Sequence, residues 1–164
     1  MHCLWCDKEL RTQLDWKTLW LPEQERNICR DCDDKLERLL GKQCKHCGRQ
    51  TTHDICSDCK RWESHPDWKQ LLLFNQSVYV YNDMMKNIIA KWKYRGDYIL
   101  YKAFEHDFRA KFNQIFTTID AILVPIPLSN ERQQERAFNQ AEALIQLLNR
   151  PYKQVLTRVH GEKQ

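Results

Sequence analysis

Apolar residues change their period along the chain, and each change predicts a new element. Residues 32–40 (CDDKLERLL) place Leu36, Leu39 and Leu40 on one helical face, with Gly41 where a helix C-cap would fall. Residues 77–81 (SVYVY) are rich in β-branched and aromatic side chains and predict a strand. Asn82 or Asp83 then caps a helix over 83–93, in which Met84, Met85, Ile88, Ile89 and Trp92 recur at three- and four-residue steps. A second helix is expected over 98–112, with Leu100, Ala103, Phe104 and Phe108 on one side. The near-continuous apolar run 121–127 (AILVPIP) predicts a buried strand, closed by Pro125 and Pro127. Ser129 or Asn130 starts one long helix through Ala137, Phe138, Ala141, Leu144, Ile145 and Leu148, and a last strand covers 154–157. Alternating strands and helices argue an α/β domain with a parallel sheet. Its ligand site would lie at the carboxyl ends of the strands, at 125–136 and after Thr157.

Cysteine usage divides the chain further. All eight cysteines precede residue 60, in the pairs Cys3/Cys6, Cys29/Cys32, Cys44/Cys47 and Cys56/Cys59. A Cys-x-x-Cys turn offers two thiolates from one tight knuckle, and a tetrahedral zinc needs two such knuckles. Two structural zinc ions are therefore expected, from chain-neighbour knuckles or from an interleaved pairing of first with third and second with fourth. Catalytic zinc is disfavoured, because every knuckle already has a partner. His2, His46, His53 and His65 could substitute as ligands but read better as surface imidazoles. The expected division is a double zinc-ribbon module at 1–60, a connector at 61–77 carrying Trp62, Pro66 and Trp68, and an α/β domain at 78–164.

Charge sharpens that division. Residues 1–83 hold 13 Lys/Arg against 14 Asp/Glu, and residues 84–164 hold 13 against 8. Two zinc tetrathiolates would bring the first part to about −5. A polyanion should then prefer the second part. The N-terminus lacks the basic and apolar regions of a secretory signal, and no apolar run reaches the roughly 18–20 residues of a bilayer span. The expectation is a cytoplasmic protein without membrane insertion, in which clustered thiols favour metal over disulfide.

Residues 121–144 (AILVPIPLSNERQQERAFNQAEAL) resemble the signature of the ComF family of late-competence proteins. In that family a strand ends in Val-Pro-x-Pro, and basic residues and Arg-Gly-Phe-Asn-Gln follow. Residues 91–97 (KWKYRGD) resemble the family's earlier Lys-Tyr-x-Gly segment, and a cysteine-rich start belongs to the same pattern. The resemblance implies a phosphoribosyltransferase-like fold behind a zinc ribbon. It also implies a role in taking up single-stranded DNA during transformation, with the DNA and an associated ATP-driven translocase as partners at the membrane-associated uptake machinery. Arg132, Arg136, Asn139 and Gln140 fall on the family motif, with Ala137 where the family usually has Gly. Ala suits a helix interior, so this departure is compatible with the long helix expected there.

A second departure is larger. The family and its enzyme relatives hold phosphoribosyl pyrophosphate in a later loop, where two acidic residues precede Thr-Thr-Gly-x-Thr. Here Thr51-Thr52 and Thr117-Thr118 lack both the acids and the glycine. The expectation is a C-terminally truncated family member, with phosphoribosyl pyrophosphate as a cofactor only in a full-length form and no catalytic residue in this chain.

Three functions compete on this sequence. In a DNA-uptake factor, Lys86, Lys91, Lys93, Arg95, Arg132, Arg136 and Arg158 would contact phosphates and Tyr94 would stack on bases, with Asn139 and Gln140 as further contact candidates. Trp92 shares a face with Ile88 and Ile89 and reads as core. A phosphoribosyltransferase is supported by the fold analogy, but its phosphate cradle is missing from this sequence. A zinc-ribbon adaptor would dock a partner protein through Trp5, Trp16 and Trp20.

Overall fold

The structure, a computed structural model, describes residues 1–10, 26–116 and 121–158. The described helices are α1 (Arg30–Asp33), α2 (Ser57–Glu63), α3 (Asp83–Tyr94), α4 (Glu105–Ile115), α5 (Asn130–Arg136) and α6 (Gln140–Gln146), with a 3-10 segment at Tyr98–Phe104. Extended chain is scarce, and its pairing among the described residues is confined to isolated bridges. The chain divides into two compact units. One joins Met1–Lys35 to Lys86–Gln164, and the other is Leu36–Met85. Composition places the break after residue 60 instead, so the structure assigns one cysteine cluster to each unit.

In the Leu36–Met85 unit the helix expected over 32–40 is absent beyond Asp33. Residues 36–40 run extended beside 78–80: the Leu39 N–H donates to the Val78 carbonyl at 2.9 Å, and the Val80 N–H to the Glu37 carbonyl at 2.8 Å. The strand expected at 77–81 is thus one antiparallel bridge, Arg38 with Tyr79. Backbone pairing with a β-favouring segment outweighs the helical spacing of three leucines, and it leaves Leu36 buried and Leu40 exposed.

The other unit holds a conventional apolar core. α3 begins at the end of the Leu36–Met85 unit, where the Asn82 side chain accepts the Met85 N–H at 3.0 Å, and continues into this one. It buries Ile88 and Trp92 and ends in Lys91 and Lys93, which suit the negative end of its dipole. Gly96, at φ +72, turns the chain into the 3-10 segment, whose Leu100, Tyr101 and Phe104 are buried. That segment packs against α4 and α6. The helix expected over 98–112 is therefore a 3-10 segment followed by α4.

The long helix expected after Ser129 is broken in two. Ser129 caps α5 as expected, but Ala137 closes it in the left-handed conformation at φ 62. Asn139 then opens α6, accepting the Ala141 N–H at 2.9 Å and donating through Nδ2 to the Ile126 carbonyl at 3.0 Å. The break turns Phe138 onto Tyr98 and Trp92, at ring separations of 4.9 and 5.9 Å. Ala137 thus occupies a cap, where Gly would be free of strain, and its helix propensity is not what holds this region.

Residues 121–127 and the chain after α6 lie parallel through the Leu123–Tyr152 bridge, with the Lys153 N–H donating to the Leu123 carbonyl at 2.9 Å. The contact falls at Tyr152, ahead of the strand expected over 154–157. No helix among the described residues is long and apolar enough to cross a membrane.

Candidate metal centres

Two groups of four cysteines converge. Cys3, Cys6, Cys29 and Cys32 form one, and Cys44, Cys47, Cys56 and Cys59 the other, with the four Sγ atoms of each within 4.8 Å of one another. Chain-neighbour pairing is therefore the arrangement present. Zinc bound at about 2.3 Å from each sulfur requires sulfur–sulfur edges of about 3.8 Å. The Cys6–Cys29 and Cys47–Cys56 Sγ separations are 3.6 and 3.7 Å. All-thiolate donors at tetrahedral spacing fit zinc, and either group could hold it. No histidine joins a described cluster.

The two clusters are built alike, feature by feature. In each first knuckle the leading cysteine N–H reaches across a short turn: Cys3 to the Lys8 carbonyl at 2.9 Å, and Cys44 to the Arg49 carbonyl at 2.8 Å. Antiparallel bridges His2–Glu9 and Gln43–Gln50 flank these turns. The residue after the second cysteine is left-handed in both, Asp7 at φ 62 and Gly48 at φ 69. Each second knuckle opens a helix, with Cys29 and Cys56 as extended N-caps of α1 and α2. A cation of the first knuckle meets an acid of that helix, Lys8 with Asp31 at 2.9 Å and Arg49 with Asp58.

Sequence reasoning saw four equal spacings and missed this duplication. Its signal is the shared Ile-Cys-x-Asp-Cys of residues 28–32 and 55–59, with a basic residue two places after each of Cys6 and Cys47.

Thiol chemistry follows the same duplication. Burial pushes the Cys3 and Cys44 thiols up, but backbone N–H groups outweigh it. Those of Cys6, Cys29 and Trp5 bring Cys3 down to about 7, and those of Cys47, Cys56 and His46 bring Cys44 down to about 6. The Cys56 N–H lies 3.3 Å from the Cys44 sulfur. Cys32 and Cys59 are pushed up, by burial first and then by the neighbouring sulfurs. Each cluster thus has one sulfur whose thiolate form the backbone favours and one that needs a cation to lose its proton. The clusters differ in access: Cys6 is exposed, and no ligand of the second cluster is.

The basic and aromatic candidates fall into two sets. Lys86, Tyr94, Arg95, Arg132 and Arg158 are exposed, and Lys93 is half-buried. The others are tied into the fold. Lys91 pairs with Asp97 at 3.0 Å and lies 5.6 Å over the Trp5 ring. Arg136 stacks its guanidinium 5.2 Å over Tyr94 and donates to Gln140 Oε1 at 2.9 Å. Gln140 is buried, and Asn139 serves as the α6 cap. The structure thus joins Tyr94, Arg136 and Gln140 and leaves Arg95, Arg132 and Arg158 outside that group. Trp92 is buried beside Phe104 and Phe138, in keeping with a core position, though its indole Nε1 has no hydrogen-bond partner among the described residues. Trp16, Trp20 and Thr117-Thr118 lie outside the described residues.

Three relatives bear on function. Competence protein ComFC of Bacillus subtilis strain 168 is 41% identical over 163 residues, which are 99% of this chain and 68% of that protein. Competence protein ComFC of Streptococcus pneumoniae is 28% identical over 159 residues, 96% of this chain and 69% of that one. Competence protein F of Haemophilus influenzae is 25% identical over 136 residues, 77% and 54% of the two chains. No family model matches the sequence. No solved structure matches it.

Proposed function

This chain belongs to the ComFC family of competence proteins, and we propose from that membership that it serves natural transformation by handling single-stranded DNA in the cytoplasm. The observation that carries the reading is 41% identity, over 99% of the chain, to Competence protein ComFC of Bacillus subtilis. Residues 84–164 add a basic balance and exposed Tyr94, Arg95, Arg132 and Arg158, the residue types that hold a phosphate backbone and stack on bases. The two cysteine clusters would each hold one zinc ion as structural supports. An ATP-driven translocase of the uptake machinery is the protein partner this role requires. The test is single-stranded DNA binding by the zinc-loaded chain across a salt series. Arg95→Ala combined with Arg132→Ala should weaken binding about tenfold and flatten the salt slope by roughly two. Binding that ignores both salt and these substitutions would refute the assignment.

A second reading rests on the parallel Leu123–Tyr152 bridge, which suits a phosphoribosyltransferase-like sheet with Arg132 and Arg136 following its first strand. Calorimetric titration with phosphoribosyl pyrophosphate separates the two. Binding abolished by Arg132→Ala would favour the transferase.

A further inference from the structure

The two clusters share their build but not their shielding. Cys6 is exposed, whereas no ligand of the second cluster is. Over the second cluster Asn75 closes on the knuckle: its N–H donates to the His46 carbonyl at 2.6 Å and its Nδ2 to the Cys47 carbonyl at 3.0 Å. A Cβ on Gly48 would lie 2.7 Å from the Asn75 carbonyl oxygen, so the cover is tight. At the matching position of the first cluster the Asp7 side chain is 89% exposed. A small solute therefore reaches Cys6 more freely than any ligand of the second cluster.

The first cluster also holds part of its own unit in place. Trp5 stands between the two cysteines of the first knuckle, with Lys91 Nζ 5.6 Å from its ring centre. Lys91 pairs at the same time with Asp97 at 3.0 Å. Ahead of the second knuckle, Asn27 Nδ2 donates to the Lys102 carbonyl at 3.1 Å, and the Leu4 N–H donates to the Asn27 carbonyl at 2.9 Å. Both knuckles thus contribute contacts to residues 91–102, the turn through Gly96 that exposes Tyr94 and Arg95.

We propose that the first cluster is a peroxide-sensitive zinc site entered at Cys6, whose oxidation frees the 91–102 turn while the second cluster keeps its metal. The Cys6 thiolate attacks one oxygen of hydrogen peroxide; the O–O bond breaks, hydroxide leaves and is protonated to water, and Cys6 becomes a sulfenic acid. The Cys29 sulfur lies 3.6 Å from that of Cys6. Its thiolate attacks the Cys6 sulfur, an S–S bond of about 2.05 Å forms, and the hydroxyl departs as a second water. The pair of thiolates gives up two electrons and the peroxide receives them, with two protons drawn from solvent. Zinc is left with Cys3 and Cys32 alone and is released. Contraction of the sulfur pair moves both knuckles, and with them Trp5 and Asn27. The buried Ile88, Trp92, Leu100 and Phe104 keep the rest of the unit folded.

Hydrogen peroxide added to the zinc-loaded chain, with a zinc-responsive dye present, tests this. One zinc ion per chain should be released well before the other, and peptide mapping at that stage should find Cys6 joined to Cys29. Hydrogen exchange should quicken over 95–102 and keep its parent rate throughout Leu36–Met85. Cys6→His retains a fourth zinc donor without the attacking sulfur, so it should hold its metal against the same peroxide. Trp5→Leu with Asn27→Ala leaves all four thiols, and should quicken exchange over 95–102 without peroxide or loss of zinc. Weaker single-stranded DNA binding after oxidation would follow from the function proposed above, whereas zinc release and exchange are independent of it. Simultaneous release of both ions, a first disulfide that lacks Cys6, or exchange over 95–102 that ignores oxidation overturns the proposal. These readouts come from the parent chain and hold even if a variant fails to fold.

Discussion

The two cysteine clusters repeat one local design in two different settings. Residues 7–28 separate the knuckles of the first and residues 48–55 those of the second. The first belongs to a unit that also buries Ile88, Trp92, Leu100 and Phe104. In the second unit Cys44, Cys56 and Cys59 themselves make a buried cluster, with Cys47 and Ile55 packed against it. The same four-thiol geometry should therefore be an accessory to one core and the main support of the other. Small units lack the buried area to stand without such a staple.

Removing a ligand from each cluster tests this most severely. Cys59→Ser should cost zinc and unfold Leu36–Met85, because structural zinc contributes about 10–16 kcal/mol of apparent binding free energy, comparable with or above a domain's whole stability. Cys32→Ser should lose the other zinc while residues 86–116 stay helical. Metal content with hydrogen exchange of each unit reports both. Slow exchange preserved throughout Leu36–Met85 in Cys59→Ser would break the contrast.

The left-handed position after each first knuckle gives a smaller effect. Gly48→Ala should destabilise the second unit by about 2 kcal/mol, from its positive φ and the close Asn75 carbonyl. At the matching position Asp7→Gly should stabilise by about 0.5 kcal/mol, since Gly adopts that conformation freely. The exposed His2–Asp7 pair lost in the exchange contributes little. Denaturant titration of the zinc-loaded proteins should place the two variants on opposite sides of the parent.

Acid should release zinc from the two clusters in separate steps. The leading thiols have pKa values lowered from 9.0 to about 7 at Cys3 and about 6 at Cys44. A lowered pKa favours the folded thiolate at high pH, and that contribution is lost as pH falls through the lowered value. The first cluster should thus release zinc first on acidification, helped by the exposure of Cys6. A zinc-responsive dye during an acid titration would show two steps, and a single step would remove the distinction.

How much of this was legible varies with the physics behind each element. The cysteine knuckles are local, so their positions and ligand types could be read directly, whereas their pairing depends on how the chain returns. Helix α3 was legible because its apolar spacing and its Asn82 cap agree. Residues 36–40 misled because the partner that draws them extended, 78–80, lies some forty residues away. Asn139 and Gln140 read in the sequence as contact candidates, and their places as a helix cap and as the acceptor of Arg136 emerge only once the helix is broken.

The break at Ala137 makes α5 and α6 behave as a joint with a preferred bend. Straightened into one rod, the two helices would sweep Phe138 around the axis and away from Tyr98 and Trp92. Alanine favours the rod and the aromatic contacts favour the bend, so this position sets two tendencies against each other. Ala137→Gly should weaken the first without touching the second, steadying the bent form by about 1 kcal/mol. Thermal melting should rise with that change. If it falls instead, the joint draws its hold on the bend from the alanine methyl.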